Sequence, residues 1–203
     1  GFLAAAGVGP ARGDGRRAAL LEVHLEALAV DLDGELLFDD VLVPFDGNAL
    51  NVKYRILHSE NPTDEERRAW EPVERLIEQF TSADKHVLAC PMWNFHVPYR
   101  FKQYIDIIVQ PSYTFTVEDG QYKGLVTGKP LFVASARGGD YSEGSGAEAF
   151  DFQKPYIRGI YQFMGFEDIQ FVAVQPTLMG GPDAAKQKLD EALEQARKIA
   201  KEF

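Results

Sequence analysis

The chain has 203 residues, of which 45% are hydrophobic and 26% are charged, a composition typical of one globular domain. Its formal net charge of −10 argues against the basic face on which nucleic-acid binding depends, and no apolar run reaches the roughly 18 residues of a membrane span. The single cysteine, Cys90, excludes an internal disulfide and agrees with a cytoplasmic location, and no metal site is predicted.

The first quarter of the chain alternates between apolar runs of strand length and segments of helical period. No basic residues precede the first apolar run, which therefore indicates a strand and not a signal peptide. The predicted elements are a strand at Phe2–Val8, a helix at Arg16–Leu28, a possible strand at Glu35–Val43 and a short helix at Ala49–Leu57.

A longer helix is predicted to begin after Thr63. Thr63 and Glu66 have the spacing of a capping box, in which each side chain binds the backbone of the other residue. Pro72 falls inside the pattern and predicts a kink or a split, since proline has no N–H to donate. The residues of the expected inward face recur at helical spacing: Ala69, Trp70, Val73, Leu76, Ile77 and Phe80.

The rest of the chain continues the alternation, interrupted by one hairpin with a turn at Asp119-Gly120. The predicted elements are a strand at Lys85–Cys90, a helix from Pro98 to Gln110, the hairpin at about 112–127, a strand at Lys129–Ser135, a helix over 148–164, a strand at Asp168–Gln175 and a helix at Pro182–Phe203. We therefore expect a single α/β domain over residues 1–203, with a doubly wound, five-stranded parallel sheet, helices on both faces and an extra hairpin. Five strands favour the flavodoxin-like winding.

Ligands of such sheets bind at the carboxyl ends of the strands, where three unusual loops are expected. The first runs from Gly9 to Arg16, and its backbone amides, with Arg12 and Arg16, are suited to a phosphate. The loop matches neither a P-loop nor GxGxxG, so a flexible, solvated segment is an equally good interpretation.

The second loop, Pro91-Met92-Trp93-Asn94-Phe95, combines apolar walls with a semi-rigid backbone and suits a planar heteroaromatic ring. The alternative is that its large side chains fill the core at a strand–helix corner. The third loop, Ser135–Tyr141, has paired glycines that let backbone approach a ligand, and Arg137 offers a cation beside it. An ordinary turn with a surface arginine is the alternative there.

Several motifs occur together in a fixed order and spacing over residues 44–203. They are Pro91–Pro98, Phe101–Asp106, Gly124–Lys129, Ser135–Gly139 and Phe163–Phe166. With these motifs the chain closely resembles the family of FMN-dependent NADH azoreductases and quinone oxidoreductases. The resemblance implies a flavodoxin-like homodimer that binds FMN and uses NADH or NADPH as electron donor.

The resemblance also implies roles for individual residues. The segment matching Pro91, Met92, Trp93, Asn94 and Phe95 lies along the isoalloxazine, while Ser135, Arg137, Gly138, Gly139 and Tyr141 match positions at its pyrimidine side. The hairpin overhangs the flavin, so Tyr113, Phe115, Tyr122 and Phe163 are expected to line the substrate pocket, or equally to form a dimer contact. The family's phosphate-binding serines are absent here, which leaves Gly9, Arg12 and Arg16 as candidates.

The expected activity is a two-electron, ping-pong reduction of quinones, azo compounds and nitroaromatics. Because the flavin carries the chemistry, no side chain is certain to be catalytic, and Arg137 and Asn94 are expected to support the reduced ring. His96 is expected to have a structural role in preference to donating protons. Two alternatives remain open: a flavodoxin-type electron carrier, and a flavin-free binding homologue, which the serine-free first loop favours.

Overall fold

The computed structural model describes residues 42–58 and 60–203 and the backbone of residues 28–30. The strand predicted at Phe2–Val8, most of the helix at Arg16–Leu28 and the phosphate-loop candidates Gly9, Arg12 and Arg16 lie outside these residues. The predictions made for them are therefore left as predictions.

The described elements alternate between strands and helices, as expected of an α/β protein. The strands are β1 (Leu28–Val30), β2 (His86–Ala89), β3 (Phe115–Glu118), β4 (Gln121–Gly124), β5 (Leu131–Ala136) and β6 (Ile169–Val174). The helices are α1 (Gly47–Leu57), α2 (Asp64–Ser82), α3 (Tyr99–Ile108), α4 (Gln153–Met164) and α5 (Gly181–Ile199). One 3₁₀ turn, Glu148–Phe150, precedes α4.

The main sheet is parallel and has the strand order β1-β2-β5-β6. Its described part therefore has four strands, and the predicted fifth is not confirmed. The helix predicted to reach Leu28 was wrong at its end, because Leu28 pairs with His86 as the first residue of β1. Leu42 and Val43, the described end of the possible strand at Glu35–Val43, are not in a strand.

Helix α2 begins where the capping box predicted. The Thr63 hydroxyl accepts a hydrogen bond from the backbone N–H of Glu66, and the Glu66 carboxylate accepts one from the backbone N–H of Thr63. The split predicted at Pro72 does not occur, since the helix continues through it. Trp70, Val73, Ile77 and Phe80 are buried on one face, and this packing offsets the hydrogen bond that proline cannot make.

The helix predicted over 148–164 is shorter, because α4 begins only at Gln153. The Asp151 carboxylate accepts hydrogen bonds from the backbone N–H groups of Gln153 and Lys154 and so caps the helix. Pro155 lies in the first turn of the helix. Backbone N–H groups there have no acceptor within the helix, so the N–H that proline lacks costs no helical hydrogen bond.

The hairpin forms as predicted. Strands β3 and β4 are antiparallel and joined by Asp119 and Gly120, whose φ values of 50° and 76° match the two-residue turn that the twist of a hairpin favours. Gly124 at the end of β4 lies against the backbone of Gly165, and a Cβ at residue 124 would lie 2.3 Å from the Gly165 nitrogen. This close approach fixes the hairpin against the end of α4.

Helices cover both faces of the sheet, and each face has its own apolar core. On one face Phe132, Ala134, Val172 and Val174 pack against Ala192 of α5. On the other face Leu131 and Val133 of β5 pack into a larger core formed with α2, α3 and α4. Strand β5 is buried along its whole length, as expected of a central parallel strand. No described helix is long and apolar enough to cross a membrane.

Candidate functional site

The second loop forms a tight turn immediately after β2. Trp93 and His96 exchange two backbone hydrogen bonds of 2.9 Å, and the residues between them, Asn94 and Phe95, have φ values of 48° and 69°. Asparagine tolerates this left-handed conformation, whereas for phenylalanine it stores strain of order 1–3 kcal/mol. Such strain occurs mainly at sites where a particular backbone shape is needed.

The loop is anchored to the central strand before the turn begins. The backbone N–H of Cys90 donates to Ala134 (2.9 Å), and that of Met92 donates to Ala136 (3.0 Å). The pairing of β2 with β5 therefore extends past Ala89 to the edge of the turn. Pro91 is buried, whereas Asn94 and Phe95 are exposed.

The third loop leaves β5 beside this turn. The backbone N–H of Arg137 donates to Val174, and its carbonyl accepts from Thr177, so β6 holds the start of the loop. A Cβ on Gly139 would lie 3.1 Å from the Tyr141 hydroxyl, so the absence of a side chain lets Tyr141 pack there. The rings of Tyr141 and Phe95 meet edge to face, 6.1 Å apart, and join the two loops.

Unpartnered backbone donors are what these loops offer to a ligand. The N–H groups of Asn94, Phe95, Gly138 and Gly139 make no hydrogen bond with any residue that the structure describes. Two of these donors belong to the strained turn and two to the adjacent glycine loop. A flat ring with acceptor atoms on its rim and aromatic carbon on its face fits this combination of amides and apolar side chains.

Arg137 is not the free cation that its sequence context suggested. Its side chain is 2% exposed, and the guanidinium pairs with Asp151 through contacts of 2.8 and 3.3 Å. It also contacts Gln175 at the end of β6. The charge is thus directed into a buried ion pair, which leaves Arg137 holding strand ends together.

Sequence reasoning missed Asp151 and Gln153, which complete this network. The Gln153 amide donates to the carbonyls of Cys90 and Pro91 and accepts from Ser135 and Arg137. A signal was present, because Gln153 lies on the same helical face as Ile157, and a polar residue on an apolar face needs partners.

A cleft of about 630 Å³ lies on the α3 side of the turn, within the size range of small-molecule sites. It shares Trp93 and Asn94 with the predicted cofactor residues. His96 also lines it, and its Nδ1 accepts the N–H of Val97 (2.8 Å), which places the proton of the neutral imidazole on Nε2. The other lining residues are Phe45, Val97, Pro98, Tyr99, Lys102, Gln103 and Asp106.

Three of the four predicted pocket aromatics form one cluster on the hairpin side. Phe163 lies 4.8 Å from Phe115 and 5.3 Å from Tyr122, measured between ring centroids. Tyr122 is 71% exposed, so the cluster has an open surface. Tyr113 has other partners: its hydroxyl donates to Glu74 and accepts from Trp70. Burial, together with the hydrogen bond to Glu74, raises its pKa.

Cys90 lies next to the loop but has no thiolate to contribute. Burial raises the pKa of its thiol to about 12. Its Sγ contacts the Pro91 carbonyl and the Gln153 amide. Nucleophilic chemistry at this cysteine is therefore disfavoured.

Comparisons with known proteins give one consistent result. A family model described as flavodoxin-like fold matches residues 34–200. The chain is 47% identical, over 186 residues, to the FMN-dependent NADH:quinone oxidoreductase of Nitratidesulfovibrio vulgaris strain DP4, covering 91% of this chain and 89% of that protein.

Solved structures agree with the sequence match. An azoreductase from Bacillus anthracis strain Sterne superposes with a TM-score of 0.76 at 28% identity, covering 92% of this chain and 88% of the other. An FMN-dependent NADH-azoreductase from Bacillus anthracis strain Ames Ancestor, solved in complex with FMN, gives a TM-score of 0.69 at 28% identity, with coverages of 81% and 78%.

Proposed function

The chain belongs to the family of FMN-dependent NADH azoreductases and quinone oxidoreductases, which have a flavodoxin-like fold, and on this premise we propose that it reduces quinones and azo compounds with NADH. FMN is its cofactor and NADH its electron donor. Nitroaromatic compounds are further candidate acceptors, since they too accept electron pairs.

One observation supports the proposal most strongly. The N–H groups of Asn94, Phe95, Gly138 and Gly139 lie on loops that leave adjacent strands, and no described residue accepts from them. An isoalloxazine carries acceptor atoms along its pyrimidine rim and an apolar dimethylbenzene at its other end. We assign the four amides to the rim and the side chains of Trp93 and Phe95 to the flat face.

When bound, FMN would supply the redox chemistry, which is hydride acceptance from the nicotinamide and transfer of two electrons to the acceptor. The protein's part is to bind and orient. The amides of Gly138 and Gly139 would stabilise negative charge at the rim, and the Phe95 side chain, which is exposed here, would shield the bound ring from water. Arg137 acts indirectly, because its guanidinium is already paired with Asp151.

Donor and acceptor are proposed to bind in turn over the same face of the ring, which gives a ping-pong reaction. The open cluster of Phe115, Tyr122 and Phe163 suits an aromatic acceptor or a second copy of the chain, and a homodimer would use both. Tyr113, held by Glu74 and Trp70, is assigned to the core of the hairpin base. Gly9, Arg12 and Arg16 are proposed to contact the FMN phosphate.

The first test is the visible spectrum of the purified protein titrated with FMN, followed by anaerobic NADH and then a quinone. We expect flavin absorption near ~450 nm that is lost with NADH and restored by the quinone without a ternary complex. Parallel lines in double-reciprocal plots would support the ping-pong order. Absence of FMN binding, or bound FMN that NADH does not bleach, would overturn the proposal.

A further inference from the structure

The buried amide of Gln153 makes every hydrogen bond that a glutamine side chain can make. Its Nε2 donates to the carbonyls of Cys90 (3.0 Å) and Pro91 (2.9 Å). Its Oε1 accepts from the Ser135 hydroxyl (2.7 Å) and the Arg137 Nε (3.1 Å). The side chain is fully buried, at 0% exposure.

The chemistry of the partners fixes the orientation of this amide. The two carbonyl oxygens can only accept hydrogen bonds, and the arginine Nε can only donate one. The amide therefore cannot be flipped, with its nitrogen and oxygen exchanged, without losing these bonds. A carboxylate would lack the donors. An apolar side chain would leave the buried carbonyls of Cys90 and Pro91 without the donors they have here, and the Ser135 O–H without its acceptor. Glutamine is therefore specified at residue 153 by its surroundings.

The partners of Gln153 lie at the ends of β2 and β5 and at the start of the two loops that carry the unpartnered amides. Cys90 and Pro91 precede the turn of Asn94 and Phe95, and Ser135 and Arg137 precede Gly138 and Gly139. Backbone pairing also joins these segments, but it ends at the bond from Met92 to Ala136. Gln153 adds a second, side-chain connection from α4, which holds Pro91 from the helix side.

The network continues through charge. The Asp151 carboxylate binds the Gln153 backbone N–H (3.1 Å) and the Arg137 guanidinium (2.8 Å). Arg137 in turn contacts Gln175 at the end of β6. The start of α4 is thereby fixed relative to the carboxyl ends of β2, β5 and β6.

We propose that Gln153 is a positioning residue that sets the spacing between the Pro91–Phe95 loop and the Ser135–Gly139 loop, and through it the affinity and orientation of the FMN ring. The proposal rests on the proposed function only for the identity of the ring. Gln153 lies on a helix and is not assigned a contact with the ligand. Its proposed role is to fix the positions of the backbone N–H groups of the two loops.

The test replaces Gln153 by methionine, which keeps its length and removes all four hydrogen bonds. Gln110 provides the matched control, since it is also 0% exposed and its amide also donates to two backbone carbonyls, those of Asp106 and Ile107. Gln110→Met thus removes an equally buried amide just after α3, whose bonds go to carbonyls of α3 and to neither loop. FMN affinity is measured by quenching of flavin fluorescence, and stability by urea unfolding.

We expect Gln153→Met to weaken FMN binding by about tenfold or more, because a buried carbonyl left without a donor costs roughly that factor. The visible spectrum of FMN at saturation should also change, which reports the surroundings of the ring. Gln110→Met should lose stability while keeping the wild-type affinity and spectrum. Equal effects of both variants on affinity, or no effect of either, would overturn the proposal.

A second variant covers the case in which Gln153→Met does not fold. Gln153→Glu keeps the acceptor contacts with Ser135 and Arg137 and removes at least one of the two donors. We expect weakened FMN binding from it as well. Wild-type affinity in Gln153→Glu, or failure of both variants to fold while Gln110→Met folds, would show that Gln153 serves the fold alone.

A measurement without flavin separates this proposal from the proposed function. Amide hydrogen exchange of the apo protein reports the N–H groups of Met92, Trp93 and His96, which are hydrogen-bonded in the second loop. Gln153→Met should speed their exchange about tenfold relative to the amides of β2, and Gln110→Met should not. If wild type binds no FMN but the exchange responds, the cofactor assignment fails and the positioning role stands. Unchanged exchange at these amides in Gln153→Met would overturn that role.

Discussion

The two ends of strand β2 treat buried polar groups in opposite ways. At the carboxyl end, the carbonyls of Cys90 and Pro91 are paired with the Gln153 amide. At the amino end, His86 is 2% exposed, and neither ring nitrogen has a hydrogen-bond partner in the described part of the chain. The carboxyl end thus has a polar network in which these groups are hydrogen-bonded. At the amino end, the polar ring of His86 is packed like an apolar side chain.

The aromatic neighbours of His86 explain how the second arrangement is tolerated. Its ring lies 4.6 Å from that of Phe80 and 5.0 Å from that of Phe166. Burial, with a smaller contribution from the nearby Lys129, lowers the pKa of His86 to about 4, so the ring is neutral at pH 7. A neutral imidazole loses two hydrogen bonds to water but gains full packing.

The contrast shows where precision is needed. The carboxyl end carries the candidate cofactor loops, whose donors must stand at fixed places, and it is held by an ion pair and a saturated amide. At the amino end the side chains only need to fill the core, and for this a complementary shape is sufficient. Mutations at the two ends should therefore differ in kind as well as in size.

The largest effect is expected at the carboxyl end, from Asp151→Asn. The substitution keeps the shape but leaves the buried guanidinium of Arg137 without its anion, and breaking such a pair costs about 3–5 kcal/mol. Urea unfolding should show a loss of this size. The control is Asp190→Asn, which breaks the exposed pair with Lys186 and should cost less than about 1 kcal/mol. Similar small losses in both variants would mean that the buried pair contributes little.

A smaller effect, dependent on pH, is expected at the amino end. The pKa of His86 is 6.5 when unfolded and about 4 when folded, so between these values the unfolded chain binds the additional proton. Stability is thus fully present above about pH 6.5 and falls as the pH drops towards 4, by up to about 3 kcal/mol. His86→Phe removes this dependence. The difference between wild type and variant, measured by unfolding from pH 7 to pH 4, isolates the contribution. Parallel pH profiles would contradict it.

The sequence was sufficient to predict most of the elements that the structure describes. Alternating apolar runs gave β2, β5 and β6, the Thr63 and Glu66 spacing gave the start of α2, and Asp119-Gly120 gave the hairpin turn. These are local signals, each decided within a few residues. The split expected at Pro72 was wrong for the opposite reason. The burial of Trp70, Val73, Ile77 and Phe80 stabilises α2 and outweighs the local rule for proline.

The candidate site was predicted in its loops but not in its supports. The glycines and aromatic residues of Pro91–Phe95 and Ser135–Gly139 can be recognised in the sequence itself. The proximity of the two loops follows from the rule that parallel strands end at the same edge of the sheet. Gln153 acquires its meaning only when α4 is placed beside Cys90, 63 residues away in sequence. Arg137 looked free for the same reason, since Asp151 precedes a helix whose start was predicted too early.

The smallest effect tests how evenly the carboxyl-end network shares its strength. Ser135→Ala removes the 2.7 Å hydrogen bond to the Gln153 Oε1, but that oxygen keeps the Arg137 Nε as a donor. Because no acceptor is left without a partner, we expect a loss of only about 1 kcal/mol in unfolding free energy. Ser82→Ala, whose hydroxyl makes an exposed bond to the Gln79 carbonyl, is the control and should cost less than about 0.5 kcal/mol. A loss in Ser135→Ala as large as in Asp151→Asn would mean that the network fails as a unit, with Gln153 unable to keep its place on one remaining donor.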